Sequence, residues 1–110
     1  MKNILITLSL VLISLSINAQ TKTETIKVFG NCSQCKSHIQ KAAKAAGAEE
    51  AKWNVDTKIL TVIYDTKKTN SKKIQSSIAS VGYDTQDATA LDAAYKKLDD
   101  CCQYDRKNSK

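Results

Sequence analysis

The chain has 110 residues, a formal charge of +6, four cysteines, one histidine, three glycines and no proline. A chain of this length builds one small domain. With a single histidine, no Ser/His/Asp set and no glycine-rich phosphate loop, it carries no machinery for hydrolytic or nucleotide chemistry. The basic excess is modest and lacks a Lys/Arg run interleaved with aromatics, so it argues for solubility or docking on an acidic partner, not for nucleic-acid binding.

Met1-Lys2-Asn3 is a short positive start, and Ile4 to Ile17 is apolar apart from Thr7, Ser9, Ser14 and Ser16. Ile17-Asn18-Ala19 ends on a small residue, which completes the layout of a secretory signal peptide cut after Ala19. The apolar run is shorter than the roughly 20 residues that span a bilayer, so an uncleaved anchor is the weaker reading. No cysteine follows Ala19 directly, so no lipid anchor is expected. The expectation is a secreted or periplasmic protein: residues 1–19 the signal, 20–88 one domain, 89–110 a C-terminal helical extension and tail.

Thr23 to Val28 alternates with β-branched residues and reads as a strand ending at Phe29-Gly30. After a loop from Gly30 to Cys35, Ile39, Ala42, Ala43 and Ala46 fall at helical spacing, so Lys36 to Ala46 is an amphipathic helix stopped by Gly47. Ala48 to Val55 is a second strand with Ala51, Trp53 and Val55 on one face. Asp56-Thr57-Lys58 is a turn, and Ile59 to Tyr64 is the strongest strand signal, so the two form a hairpin. Beyond a polar linker from Asp65 to Asn70, Ile74, Ile78 and Val81 mark a helix from Ser71 to Val81, with Thr69, Asn70 or Ser71 as its N-cap. Gly82 ends that helix, and Tyr83 to Ala88 is a short last strand. The order βαββαβ is that of an α+β, ferredoxin-like fold: four antiparallel strands with both helices on one face. Leu91, Ala94, Tyr95 and Leu98 share one face of a further helical stretch. Asp99 to Lys110 is polar, and is expected to hang loosely apart from whatever holds its cysteines.

Four cysteines in an exported chain ordinarily mean two disulfides. Cys101 and Cys102 are adjacent, however, and neighbours bridge each other only through a strained ring, so they face other partners. Cys32 and Cys35 form a C-x-x-C where the first strand turns into the first helix, a spacing that brings two sulfurs within reach of one ion. Unpaired N–H groups and the positive dipole end at the helix start favour thiolate there, and Lys36 adds a cation. Thiolates without carboxylates suit Cu(I), and Hg(II), Cd(II) or Zn(II) less selectively. Two ligands complete a linear Cu(I) or Hg(II) but leave structural zinc two short of four.

Gly30-Asn-Cys-Ser-Gln-Cys-Lys-Ser-His-Ile39, set in a βαββαβ order and followed by Gly82-Tyr83-Asp84, resembles the heavy-metal-associated (HMA) domain over about residues 22 to 88. That family includes copper chaperones, N-terminal modules of copper-pumping ATPases and periplasmic mercury-binding proteins. The resemblance implies a ferredoxin-like fold, metal held by the thiolates of Cys32 and Cys35, and ligand exchange with a partner such as a membrane metal transporter or efflux component. It also implies that Tyr83 lies beside the metal loop. One departure is Gly30, where the family usually has a methionine packed under the loop; this predicts a more mobile loop and a less firmly inherited metal preference. The signal peptide makes the periplasmic members the closer parallel.

Other readings of these residues stay open. The C-x-x-C could be a redox or structural disulfide, although a thioredoxin-like site needs a proline and this chain has none. His38, one helical turn from Cys35, is either a third ligand or a solvated side chain. Cys101 and Cys102 either fold back to complete a three- or four-sulfur site, form disulfides, or make an independent site. Trp53 and Tyr64 read as strand packing. The lysines of the first helix, Lys67-Lys68 and Lys72-Lys73 read as solvated faces or a docking surface for an acidic partner. The function expected is an exported metal carrier or scavenger, not an enzyme, either monomeric or bridged into a dimer by a shared ion. Its rivals are a mercury, cadmium or zinc detoxification protein and a metal-free thiol–disulfide protein.

Overall fold

The computed structural model describes residues 20–107; the signal-peptide reading of residues 1–19 lies outside them. Three strands form an antiparallel sheet in the order β1-β3-β2: β1 (Thr21–Lys27), β2 (Glu50–Trp53) and β3 (Ile59–Asp65). In β3 the side chains alternate as the pleat requires. Leu60, Val62 and Tyr64 are buried, while Thr61 between them is exposed. Opposite Leu60 stand Ile26 on β1 and Trp53 on β2, so the core row runs across all three strands. The β2–β3 turn is organised by Asn54, whose side-chain oxygen accepts from the N–H groups of Asp56 and Thr57. Lys58 takes a φ of 64° there.

Helices α1 (Ser33–Ala45) and α2 (Ser71–Ser80) cover the buried row with Ile39, Ala42, Ala43, Ile74 and Ile78. The alanines of α1 allow a close approach to α2, close enough for the Ser77 hydroxyl to donate to the Ala42 carbonyl at 2.8 Å. Of the three cap candidates for α2, Asn70 fills the role, accepting from the Lys73 N–H. Helix α1 starts three residues earlier than the sequence pattern indicates, so Cys32 is its N-cap and Cys35 lies in its first turn.

The expected fourth strand is not one. Tyr83 to Ala88 contributes a single bridge, Val28 with Thr85, at the free edge of β1. The chain turns back at once because its polar groups are engaged locally. Thr85 N–H donates to Ala88 O, and the Thr85 hydroxyl and the Asp87 N–H both donate to the side chain of Gln75. The observed sheet is therefore three-stranded, with the remnant of a fourth position beside β1.

After this comes α3 (Asp92–Lys96), then a 3₁₀ turn over Asp100–Cys102. Tyr95 and Leu98 pack on the core, whereas Leu91 is exposed. The tail is not loose up to residue 107. Tyr104 is buried, stacked on Tyr83 with ring centroids 5.6 Å apart and edge-on to Tyr95 at 5.1 Å. Its hydroxyl donates to Gly82 O and accepts from Asp84 N–H, both at 2.7 Å. Arg106 binds the Asp84 carboxylate, and Lys107 donates to Thr85 O.

Candidate metal centre

The loop between β1 and α1 brings the two cysteines of the C-x-x-C to one point. Cys32 Sγ and Cys35 Sγ lie 3.8 Å apart, Cys35 buried and Cys32 partly exposed. The helix start supplies the electrostatics that the motif needs. N–H groups of Cys35 and Gln34 lie by the Cys32 sulfur, outweigh its loss of solvation, and lower its pKa to about 7. Cys35 Sγ in turn accepts from Asn31 N–H at 3.4 Å. One sulfur is thus readily ionised at the rim, and the other is fixed beneath it.

The tail reaches the same place. Cys102 is fully buried, and its sulfur lies with those of Cys32 and Cys35 in a group whose members are all within 4.8 Å of one another. Burial, and next the neighbouring Cys35, push the Cys102 thiol up to about 12. Cys101 points outward: it is exposed and donates to Gln34 Oε1 at 3.0 Å. The turn carrying this pair is seated on the loop by three further contacts. Cys32 Sγ and Asn31 Nδ2 donate to Cys101 O, and Gln34 Nε2 donates to Asp99 Oδ2 at 2.9 Å.

Tyr83 is buried under the cluster, its hydroxyl beside the sulfurs of Cys102 and Cys35. Its pKa is raised first by burial and then by Cys102. His38 is next to the site and meets it through Tyr83: its Nδ1 is 2.9 Å from Tyr83 Oη. Among the described residues the sulfur group contains neither His38 nor Cys101.

Beneath the loop, the space left by Gly30 is filled by Trp53. A Cβ on Gly30 would lie 2.9 Å from the indole ring and 3.2 Å from Ile39. The ring is fixed by its Nε1–H, which donates to Val28 O at 3.0 Å. Trp53 therefore does pack in the strand, as its alternation indicates, and also supports the metal loop. Sequence reasoning did not single out Asn31, Gln34, Asp84, Tyr104 or Arg106, which shape the site from outside. Asn31 and Gln34 carried a signal only through their place in the C-x-x-C loop, and Asp84 through its place in Gly82-Tyr83-Asp84; Tyr104 and Arg106 carried none.

Such an arrangement can bind a soft cation through two or three thiolates, with no carboxylate in the group to favour a hard ion and no imidazole to favour a borderline one. A family model for the heavy-metal-associated domain matches residues 25–84. Among solved structures, the CopZ metallochaperone is similar with a TM-score of 0.55 and 29% identity, over 58% of this chain and 98% of its own. Oxidised MerP from Ralstonia metallidurans CH34 gives 0.57 and 29%, over 60% of this chain and 94% of its own. The water-soluble region of the P-type ATPase CopA from Bacillus subtilis gives 0.54 and 33%, over 59% of this chain and 44% of its own. Comparison with curated proteins gives no match.

Proposed function

The chain belongs to the heavy-metal-associated domain family, and from that premise we propose that it carries a soft metal ion, Cu(I) first, between Cys32 and Cys35. The family is one of metal-binding carriers, not enzymes. The observation that carries the reading is the pair of sulfurs 3.8 Å apart, one of them at the N-cap of α1 and ionised near neutral pH. Binding releases the remaining thiol proton as the ion takes its place.

Transfer follows from the same geometry. Cys32 is the accessible sulfur and Cys35 the buried one. An incoming thiolate approaches from the Cys32 side and adds to the ion, and Cys32 is the first original ligand to leave. Coordination never falls below two along this route. Likeness to a metallochaperone and to the soluble region of a P-type ATPase supports a membrane metal transporter as the recipient. Export rests on the character of residues 1–19, which would place the carrier in the periplasm or outside the cell. The family's mercury-binding members make Hg(II) scavenging the second reading, supported by the likeness to MerP.

Anaerobic competition between the reduced protein and a chromogenic Cu(I) chelator tests the assignment. The parent should withdraw one Cu(I) per chain, and Cys32→Ser and Cys35→Ser should each compete far more weakly while keeping the far-UV circular dichroism of the parent. Undiminished binding in both variants contradicts the assignment.

A further inference from the structure

The C-terminal tail brings a sulfur to the site that no metal-binding motif requires. We propose that Cys102 is a third thiolate ligand, so that the tail turns a two-thiolate carrier loop into a three-coordinate site. This rests on Cys32 and Cys35 being ligands, as set out above.

The separation of the first two sulfurs favours three-coordination. With a metal–sulfur bond of about 2.3 Å, a linear pair spans about 4.6 Å, whereas sulfurs 3.8 Å apart subtend about 111° at the ion. An angle near 120° leaves one position open in the same plane. Cys102 Sγ, within 4.8 Å of both other sulfurs, is the thiol available to fill it.

Its placement is imposed from several directions. Tyr104, two residues on, is stacked on Tyr83 and bonded to Gly82 and Asp84. Arg106 then grips Asp84, and on the near side Asn31 and Gln34 hold Cys101 O and Asp99. Cys102 is therefore fixed at both ends of its turn, and its side chain has no exposure to solvent.

The consequence concerns both ion and rate. Three thiolates leave a net charge of −2 around Cu(I) and −1 around Cd(II) or Hg(II), so the third sulfur extends the site toward divalent soft ions, whose charge the buried site tolerates better. It also fills the third coordination position that a partner thiolate would take on adding to the ion. Hand-off then requires Cys102 to dissociate first, which suits retention over rapid delivery.

X-ray absorption at the copper edge decides the matter on mature protein loaded with one Cu(I), without other thiols in the buffer. The parent should show three sulfur neighbours, Cys102→Ser two, and Cys101→Ser three. Two sulfurs in the parent overturn the third ligand and leave the two-thiolate site standing; that result needs no variant, so a folding defect in Cys102→Ser cannot mask it. Three sulfurs retained in Cys102→Ser overturn the proposal equally, since the third would then come from Cys101 or a second copy. A parent that takes up no Cu(I) removes both this inference and the reading beneath it.

Discussion

The guanidinium of Arg106 grips the carboxylate of Asp84 at both oxygens, Nη2 to Oδ1 at 2.7 Å and Nε to Oδ2 at 3.0 Å. Asp84 is almost completely buried, and it follows directly on Tyr83, whose ring lies under the metal loop. The pair therefore ties the end of the chain to the floor of the site.

Acid should loosen this tie. Burial alone would raise the Asp84 pKa, but Arg106 and the N–H groups of Ala90 and Lys107 hold it below the ordinary aspartate value. A carboxyl depressed on folding stabilises the native state above its unfolded pKa, about 3.9, and that contribution is lost as pH falls through the native value. Urea unfolding from pH 7 downward should show a decline below about pH 4 that Arg106→Ala largely removes. At pH 7 the variant should lose about 3 kcal/mol, because it leaves a buried carboxylate without its cation. An equally steep acid limb in the variant would count against the pair.

Gly30 should resist any side chain. Its Cβ would meet a Trp53 ring that cannot retreat without breaking the bond to Val28 O. Gly30→Ala is expected to cost about 1–3 kcal/mol by overpacking, read from the urea midpoint. Trp53→Phe, which removes the outer ring, should make the same Gly30 change cheaper, a coupling that a double-mutant cycle measures. Additive losses would mean that the two residues do not compete for one space.

Alkylation should distinguish the cysteines in the reduced, metal-free protein. Cys32 is expected to react with a pH midpoint near 7. Cys102, buried and shifted up to about 12, should stay unmodified in the native state. Peptide mapping after timed iodoacetamide exposure reads both. A Cys32 midpoint near the ordinary thiol value of about 8.5 would show that the helix start does not stabilise its thiolate.

His38→Ala should leave Cu(I) affinity unchanged, because its Nδ1 is engaged with Tyr83 Oη and not with the sulfurs. Tyr83→Phe removes a buried hydroxyl shared by His38 and the two buried thiols, and should lower stability by about 1 kcal/mol. Chelator competition and urea unfolding check the two outcomes separately. A marked loss of affinity in His38→Ala would make the imidazole a ligand.

Local patterns carried much of this architecture. The alternation in Ile59 to Tyr64, the helical spacing of Ile74 and Ile78, and Gly47 and Gly82 at the helix ends each act within a few residues, so the elements could be placed from the chain. C-x-x-C ahead of an amphipathic helix pointed to the loop in the same way. Tyr83 to Ala88 misled because β-propensity does not reveal that Gln75 will engage Thr85 and Asp87. The docking of the tail was legible only as one option among several. It depends on Tyr104 and Arg106 meeting Gly82 and Asp84 across about twenty residues of chain. Nor could Gly30 alone show that Trp53, from β2, packs against it and fills the space beneath the loop.

Amide NMR spectra of ¹⁵N-labelled reduced protein, recorded during anaerobic Cu(I) addition, read whether a soft ion binds at the Cys32–Cys35 loop. Shifts should concentrate in residues 31–36 and in the docked turn at 100–103 and saturate at one equivalent. Shifts spread over the lysine-bearing faces, or none in residues 31–36, would contradict binding at that loop.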